Sequence, residues 1–383
     1  MSIVSQEEMD QAEAALAKVR DEWLQREGVT AVDLGFKWSD GEMTRQISIR
    51  VHVARKKKKE ELSAADLFPK EVNGIPVDVL EATYGIQEMT ESDAQLEAAI
   101  DGRDQRFAEI PLGVSVGSPH VTAGTLGAKV FDPATQEEYI LSNWHVLVGA
   151  TAAQPGDPIW QPGRLDGGGA DDKIAEVARS VLGPFDAAIA RVTGERPILD
   201  TTIEGDKIDD IIAPRLGMMV WKSGRTTGRT EGFIDGLQMS TELNYRSAGL
   251  RRIEQVVRIV PRPGAPPSEI SLGGDSGSIW VDEASGKAIA LHFAGELGDA
   301  PEYALAIAIE PVINRLQVVF PAQFTTPTPD PEPPVVTPDP VEPPPSDPPS
   351  PTEDPVPNQP PITITPQPSV FERFINWLKG LFS

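Results

Sequence analysis

A serine stands between glycines in residues 273–278, which read Gly-Gly-Asp-Ser-Gly-Ser. Glycine tolerates the positive φ angles and the close backbone approach that a tight turn needs. Such a turn can expose the hydroxyl of Ser276 beside backbone N–H groups that are able to bind an oxyanion. A serine becomes a nucleophile only with a base and a group that orients the base. The stretch therefore predicts a chain organised around Ser276.

Two upstream motifs offer the missing partners. His145 follows Leu-Ser-Asn-Trp and precedes a hydrophobic run, and Asp186 opens the run Asp-Ala-Ala-Ile. The chain has only four histidines, of which His52 and His120 lack this flanking pattern and His292 follows the serine. We therefore expect a catalytic triad in which His145 is the base and Asp186 orients it.

The order His…Asp…Ser is that of chymotrypsin-type enzymes and differs from the orders in subtilisins and α/β-hydrolases. With these motifs, residues 113–320 resemble a trypsin/chymotrypsin-like serine peptidase. The resemblance implies a mainly β fold of two six-stranded antiparallel β-barrels. It also implies a serine endopeptidase that works through an acyl-enzyme, with an oxyanion hole made by the N–H groups of Gly274 and Ser276. No cofactor and no metal is implied.

A second hypothesis stays open at this point. The triad could be vestigial, and the chain could be a non-catalytic or latent trypsin-like scaffold that acts as a protein-binding or membrane-docking module. Active-site serine labelling distinguishes the two hypotheses.

The strand after the serine contains His292, Phe293, Ala294 and Gly295. In the trypsin-like fold this strand walls the specificity pocket, and the substrate backbone adds to it as an extra strand. His292 resembles the pocket histidine of glutamyl endopeptidases, so the resemblance implies that these four residues bind substrate and that cleavage follows Glu. The alternative is a strand histidine whose ring is satisfied by a hydroxyl and faces no substrate.

Residues 1–85 predict a small α/β domain. Ser5 and Glu8 form a capping box before an apolar helical repeat over 6–27. Strand-like runs follow at 29–36 and 46–53, with Asp40-Gly41 at the turn between them, and a third near 74–80. The arrangement resembles the domain that precedes trypsin-like domains in a set of bacterial proteins, and it is similar to plant proteins of the narrow-leaf type.

Residues 86–112 are polar and acidic and predict a linker. Many trypsin-like enzymes need a new N-terminus whose ammonium pairs with the aspartate before the catalytic serine, here Asp275. A cut after Glu109 would create one at Ile110, although intracellular relatives do without this step.

The C-terminal part changes composition sharply. Residues 321–368 hold over half of the chain's 37 prolines and no Lys or Arg, which predicts a disordered, extended linker. Residues 369–383 place apolar side chains on one face of a predicted amphipathic helix of about 21 Å, too short to span a bilayer. We expect this helix to dock on a membrane surface, in a partner's groove or on the body of its own chain.

Composition limits the setting and the partners. The chain lacks cysteine, which suits a reducing compartment, and its acidic N-terminus lacks the pattern of a signal peptide. We therefore expect a cytoplasmic protein, with the C-terminal helix as a candidate for peripheral membrane association. The formal net charge of −24 argues against a nucleic-acid partner, because phosphate contacts require basic surface. The expected partner is a protein or peptide substrate.

Overall fold

Strands make up most of the regular structure of this chain. The computed structural model describes residues 4–39, 42–63, 66–87, 101–264, 268–298 and 303–325. Within these ranges, twenty strands pair into two main sheets and two short ladders, together with four α-helices. The mainly β fold that the sequence predicts is confirmed.

The N-terminal segment begins with the helix that the capping box predicts. The Ser5 hydroxyl accepts a hydrogen bond from the Glu8 N–H at 3.2 Å, and the Glu8 carboxylate accepts one from the Ser5 N–H at 2.9 Å. The first two predicted strands follow it with longer bounds, the third lies at 75–81, and the predicted turn at Asp40-Gly41 lies outside the described residues. The elements are α1 (Gln6–Leu24), β1 (Val29–Ser39), β2 (Glu42–Val53), β3 (Glu71–Val72), β4 (Ile75–Glu81) and β5 (Tyr84–Ile86).

A five-stranded antiparallel sheet comes next, with two short ladders beside it. The elements of this part of the chain are β6 (Ile110–Leu112), β7 (Ser115–Val116), β8 (Gly124–Thr125), β9 (Ala128–Phe131), β10 (Glu138–Ser142), α2 (Trp144–Leu147), β11 (Pro158–Trp160), β12 (Lys173–Leu182), β13 (Asp186–Val192) and β14 (Ile198–Thr202). The sheet order is β11-β12-β13-β10-β9, while β7 pairs with β8 and β6 with β14. A bridge from Gly117 to Trp160 joins the β7–β8 hairpin to the open edge at β11. Five strands thus share one sheet where the sequence predicts a barrel of six.

Six further strands form a closed barrel. They are β15 (Met219–Gly224), β16 (Gly228–Asn244), β17 (Leu250–Pro261), β18 (Ile279–Asp282), β19 (Ala288–Glu296) and β20 (Ala304–Ala308), and the helices α3 (Ile309–Leu316) and α4 (Pro321–Thr325) follow them. Each strand pairs with the next in the order β15-β18-β19-β20-β17-β16, and β16 pairs again with β15. The second sheet therefore contains the six-stranded antiparallel barrel that the sequence predicts.

The strand β16 is long enough to pair with two partners along one edge. Residues 228–233 pair with β15, and residues 236–241 pair with β1. The strand β1 in turn pairs with β2, and β2 pairs in parallel with β4. The sheet of the second barrel therefore continues through the N-terminal segment. Buried residues of α1 share one apolar cluster with the barrel: Ala12, Ala15, Leu16, Trp23, Leu24, Phe233, Ile234 and Ile259.

A buried ionic cluster lies where β1 and β2 meet β16. The Arg50 guanidinium donates to Asp33 Oδ1 at 2.8 Å and to Asp235 Oδ2 at 2.8 Å, and all three side chains are fully buried. Burial opposes ionisation of Asp33, but the charge of Arg50 outweighs it and holds the pKa of that carboxyl below its ordinary value. Removing one partner from such a cluster would leave an uncompensated buried charge. The cluster therefore fastens the N-terminal segment to the barrel.

The described ends of the predicted linker, residues 86–112, are both hydrogen-bonded to other strands. Ile86 belongs to β5, which pairs with β19, and Ile110 begins β6, which pairs with β14. Residues 88–100 between them lie outside the described part of the chain. The boundaries that the sequence assigns to the domains stay a prediction.

The predicted C-terminal linker, residues 321–368, begins with the short helix α4. The Phe324 ring on this helix lies 5.4 Å from the ring of Phe131. The remainder of that linker and the predicted helix at 369–383 lie outside the described residues.

Candidate active site

The turn that carries Ser276 packs directly on the strands that lead to His145. The Thr125 N–H donates to the Ser276 carbonyl oxygen at 2.8 Å, and the Ser142 hydroxyl donates to the Thr125 carbonyl oxygen at 2.8 Å. A Cβ atom on Gly277, whose φ is 98°, would overlap both the Ser142 hydroxyl and the Thr125 carbonyl oxygen. Glycine is therefore required after the serine for close approach and for its positive φ.

His145 lies on α2, beside the aspartate that begins β13. Asp186 Oδ2 lies 2.5 Å from His145 Nδ1, and Asp186 Oδ1 accepts from the His145 backbone N–H at 3.2 Å. The Tyr245 hydroxyl donates to Asp186 Oδ2 at 3.0 Å, and the Asn143 side-chain amide donates to the Asp186 carbonyl oxygen at 2.9 Å. A carboxylate placed in this way accepts the Nδ1 proton, which leaves Nε2 as the basic nitrogen of the ring.

Asp275, directly before the serine, is fully buried and pairs with an ammonium group. Lys222 Nζ lies 3.1 Å from Asp275 Oδ2, and the N–H groups of Thr227 and Leu272 donate to the carboxylate at 3.1 and 3.0 Å. Burial would raise the pKa of Asp275, but the Lys222 charge and the Thr227 hydrogen bonds outweigh it and hold that pKa below its ordinary value. The intact chain thus supplies the cation that a new N-terminus at Ile110 would otherwise have to supply.

A peptide carbonyl of the chain itself lies against the serine. The Gln87 carbonyl oxygen accepts from the Gly274 N–H at 3.3 Å and from the Ser276 hydroxyl at 3.2 Å. The Gln87 N–H donates to the Phe293 carbonyl oxygen at 3.5 Å. The Gly274 amide and the Ser276 hydroxyl therefore meet on one carbonyl group. Donors aimed at a carbonyl oxygen can stabilise the negative charge that develops there during acyl transfer.

The residues before Gln87 extend the sheet beside the serine. The strand β5 pairs antiparallel with β19, with Ile86 opposite Ala294 and Gly85 opposite Gly295. A Cβ atom on Gly295 would overlap the Gln87 side-chain amide. Glycine at this position therefore opens the pocket that the Gln87 side chain enters.

The side-chain amide of Gln87 contacts the ring of His292. His292 Nε2 lies 2.7 Å from Gln87 Oε1, and the Trp280 indole N–H donates to His292 Nδ1 at 3.4 Å. An indole N–H can only donate, so the neutral ring carries its proton on Nε2 and donates it to Gln87. Burial, followed by the charge of Lys222, lowers the pKa of His292 to about 3. The Gln87 amide nitrogen donates to the Ser271 carbonyl oxygen at 3.4 Å, so the pocket offers one donor and one acceptor.

The structure joins the residues singled out in the sequence in two hydrogen-bonded groups: His145 contacts Asp186, and the remaining residues surround Gln87. Each predicted substrate-binding residue lies beside residues 85–87, and the oxyanion-hole glycine reaches the Gln87 carbonyl. The roles of all these residues stay predictions at this point. The residues concerned are His145, Asp186, Gly274, Ser276, His292, Phe293, Ala294 and Gly295.

Three residues of the site are absent from the sequence-based expectation. Lys222 stands in an apolar strand, and that pattern is a usable signal, because a buried lysine needs a carboxylate partner. Tyr245 and Gln87 carry no local signal. Both reach the site only through tertiary pairing of strands that are distant along the chain.

The comparisons with known proteins give no match to a protein-family model or to a curated protein. Among solved structures, the chain resembles bacterial trypsin/chymotrypsin-like serine proteases. Protease A of Thermobifida fusca is 17% identical with a TM-score of 0.41, and a Nocardiopsis protease is 16% identical with a TM-score of 0.42. A glutamic acid-specific serine protease is 17% identical with a TM-score of 0.41. Each comparison covers 55% of this chain and 98% of the other.

Two further properties concern the described part of the chain alone. None of its helices has the length and apolar composition that crossing a bilayer demands. Its His, Asp and Glu side chains form no group of three or more that could hold a metal ion.

Proposed function

We propose that this chain is a serine endopeptidase that hydrolyses peptide bonds of a protein or peptide substrate. One observation carries the proposal. The Ser276 hydroxyl and the Gly274 N–H reach the same peptide carbonyl, while Asp186, at the start of β13, contacts Nδ1 of the His145 ring on α2. The nucleophile thus contacts a peptide carbonyl group, and the base contacts its orienting group, which favours catalysis over a scaffold that only binds.

The proposed reaction passes through an acyl-enzyme. Ser276 Oγ attacks the substrate carbonyl carbon, and His145 Nε2 takes the serine proton and returns it to the leaving amine. The N–H groups of Gly274 and Ser276 hold the oxyanion. Asp186, bound by the Tyr245 hydroxyl, stabilises the imidazolium that forms on His145. Water then hydrolyses the ester by the same proton transfers in reverse order.

We infer that the pocket selects a side chain that ends in a carbonyl group two methylenes from the backbone. His292 donates to that oxygen and Ser271 accepts from the amide nitrogen, so glutamine satisfies both groups. Glutamate, which the resemblance of His292 implies, would set its second oxygen against the Ser271 carbonyl. We therefore place glutamine first and glutamate second as the residue before the scissile bond.

Labelling with a fluorophosphonate and a cleavage profile test this function. We expect the reagent to modify Ser276 in the full chain and to leave Ser276→Ala unlabelled. Because Gln87 fills the cleft, a Gln87→Lys variant is labelled in parallel. Peptides with glutamine before the cut should be cleaved about tenfold or more faster than their glutamate counterparts, since one unsatisfied buried group costs about 1–3 kcal/mol.

The ratio of the two rates should stay constant between about pH 5 and 8, because the His292 ring, with a pKa of about 3, stays neutral there. A glutamate rate that rises as the pH falls through the ordinary histidine range would contradict the pocket assignment. Absence of labelling in the full chain and in Gln87→Lys would favour the non-catalytic scaffold.

Tyr245→Phe should lower kcat about fivefold to tenfold with little change in KM, because one hydrogen bond to a carboxylate contributes roughly 1–1.5 kcal/mol. The hydroxyl donates to Asp186, which in the proposed mechanism acts on the base His145, so kcat should change more than KM. Tyr139→Phe is the matched control, since its hydroxyl donates to Glu137 at 3.0 Å. Equal kcat values for the two variants would remove Tyr245 from the proposed site.

We place this activity in the cytoplasm, with residues 369–383 as the element that docks on a membrane surface or in a partner's groove. The cysteine-free sequence and the apolar stripe of that segment support this setting. Sedimentation of the full chain with lipid vesicles would test the membrane alternative.

A further inference from the structure

Residues 84–87 lie along β19, the strand that the proposed function assigns to substrate binding. Three successive pairs join it to β19: Tyr84 opposite Glu296, Gly85 opposite Gly295, and Ile86 opposite Ala294. The pairing extends backwards, because the Leu297 N–H donates to the Thr83 carbonyl oxygen at 2.8 Å. An extended peptide that adds to a sheet edge is bound mainly by its backbone, while side-chain pockets select its residues.

This register places the Gln87 carbonyl group within reach of the nucleophile, whose hydroxyl also lies 3.4 Å from the Phe293 carbonyl oxygen. The Gln87 carbonyl oxygen is 3.2 Å from Ser276 Oγ and 3.3 Å from the Gly274 nitrogen, while the Gln87 side chain fills the pocket between His292 and Ser271. Only 9% of the Gln87 surface remains exposed. Three parts of the proposed site are thus occupied by the chain itself. The backbone of residues 84–86 pairs with β19, the Gln87 side chain contacts His292, and the Gln87 carbonyl contacts Ser276.

Side chains of β1 and β2 hold this strand in place through buried hydrogen bonds. The Tyr84 hydroxyl donates to His52 Nδ1 at 2.8 Å, and His52 Nε2 donates to Asp33 Oδ1 at 3.1 Å. Asp33 belongs to the buried cluster with Arg50 and Asp235, which joins β1 and β2 to the barrel. A chain of buried polar contacts therefore runs from the barrel to the segment in the cleft. Such preorganisation raises the effective concentration of the Gln87 carbonyl at Ser276.

We propose that the chain cleaves itself between Gln87 and Glu88, with residues 84–87 bound in the cleft as its first substrate. The proposal rests on the proposed peptidase function. It goes beyond that function in assigning both the substrate and the bond, and it separates the segment 1–87 from the rest of the chain.

The proposed step uses only groups of the chain and one water molecule. Ser276 Oγ forms an ester with the Gln87 carbonyl carbon, and its proton passes through His145 to the amine of Glu88, which leaves. Water then attacks the ester, gives one proton to His145 and releases the Ser276 hydroxyl and a Gln87 carboxylate. No oxidant, metal or other co-reactant enters the balance.

The two products are expected to stay together after the cut. The strand β1 remains hydrogen-bonded to β16, and α1 remains packed on the barrel. The Gln87 carboxylate would then lie where the carbonyl lay, so the cut enzyme should be inhibited by its own product. Removal of the segment 84–87 from the cleft becomes the step that admits another substrate.

Mass spectrometry of the purified full chain tests the proposal. We expect two co-eluting fragments whose masses match residues 1–87 and 88–383, and a single chain of 383 residues for Ser276→Ala. Gln87→Lys should slow this cut at least about tenfold, because an ammonium group can only donate and would face the His292 N–H from which the Gln87 amide oxygen accepts. Gln154→Lys, a change of the same type on the exposed surface, should cut like the wild type. The rate should not depend on protein concentration, since the segment belongs to the same chain.

Each remaining outcome decides between this proposal and the peptidase function. A wild-type chain that stays whole, yet hydrolyses the coumarin amide of acetyl-Tyr-Gly-Ile-Gln, overturns self-cleavage and keeps the peptidase. A cut at another bond overturns the assignment of Gln87. A whole chain without hydrolysis and without serine labelling, in the wild type and in Gln87→Lys, overturns both.

Discussion

Asp186→Asn should lower kcat by about 10⁴-fold while the protein stays folded. Asp186 Oδ2 lies 2.5 Å from His145 Nδ1 and accepts its proton. An asparagine amide would donate to Nδ1 instead, so the ring proton would move to Nε2. The ring could then no longer take the proton of Ser276. The measurement is kcat on a glutaminyl peptide, with thermal unfolding of the same samples to verify the fold.

Asp21→Asn provides the control for this prediction. Its carboxylate pairs with Arg252 but is 75% exposed, so the same substitution should leave kcat unchanged. A loss of less than tenfold for Asp186→Asn would contradict the role of Asp186 as the group that sets the tautomer of His145.

Lys222→Met should lower the free energy of unfolding by about 3–5 kcal/mol, because it leaves the buried carboxylate of Asp275 without its counter-charge. Both side chains are fully buried, and Nζ lies 3.1 Å from Oδ2. Asp275 also binds the backbone at Leu272 and Thr227, so the Ser276 turn should be disturbed and activity lost with stability. Chemical denaturation followed by tryptophan fluorescence measures the change.

Two companion variants separate the buried charge from other effects of the lysine side chain. Lys222→Met with Asp275→Asn removes both charges and should recover at least half of the lost stability, although not the activity. Lys129→Met opens a partly exposed pair with Glu138 and should cost less than about 1 kcal/mol. If the single and double variants are equally unstable, the ion pair does not explain the loss.

The predictions that came true at the level of fold rest on local patterns. The capping box of Ser5 and Glu8 and the strand-like run at 46–53 are both signals within a few residues of chain. These signals depend on backbone propensity and on which face of an element is apolar, so they are legible without the fold.

The sheet that joins β1 to β16 could not be predicted in the same way. The pairing of Ala31 with Thr241 brings together residues more than two hundred positions apart, and neither strand encodes its partner. An apolar strand sequence predicts that the strand is buried, but not which strand pairs with it. The sequence predicts the small α/β segment and the barrel as two separate units. Their shared sheet forms because apolar side chains of both are buried in one cluster.

The candidate site divides along the same line. The motifs around His145, Asp186 and Ser276, and the glycines that allow the serine turn, are legible because each group needs a particular residue type beside it. The other features are contacts between residues that are far apart along the chain, so local sequence does not predict them. They are Lys222 with Asp275, Tyr245 with Asp186, and above all Gln87 with Ser276. A sequence names the chemical groups that a chain carries. Which of its own peptide bonds lies against the nucleophile depends on the packing of the N-terminal segment on the barrel, which local sequence does not express.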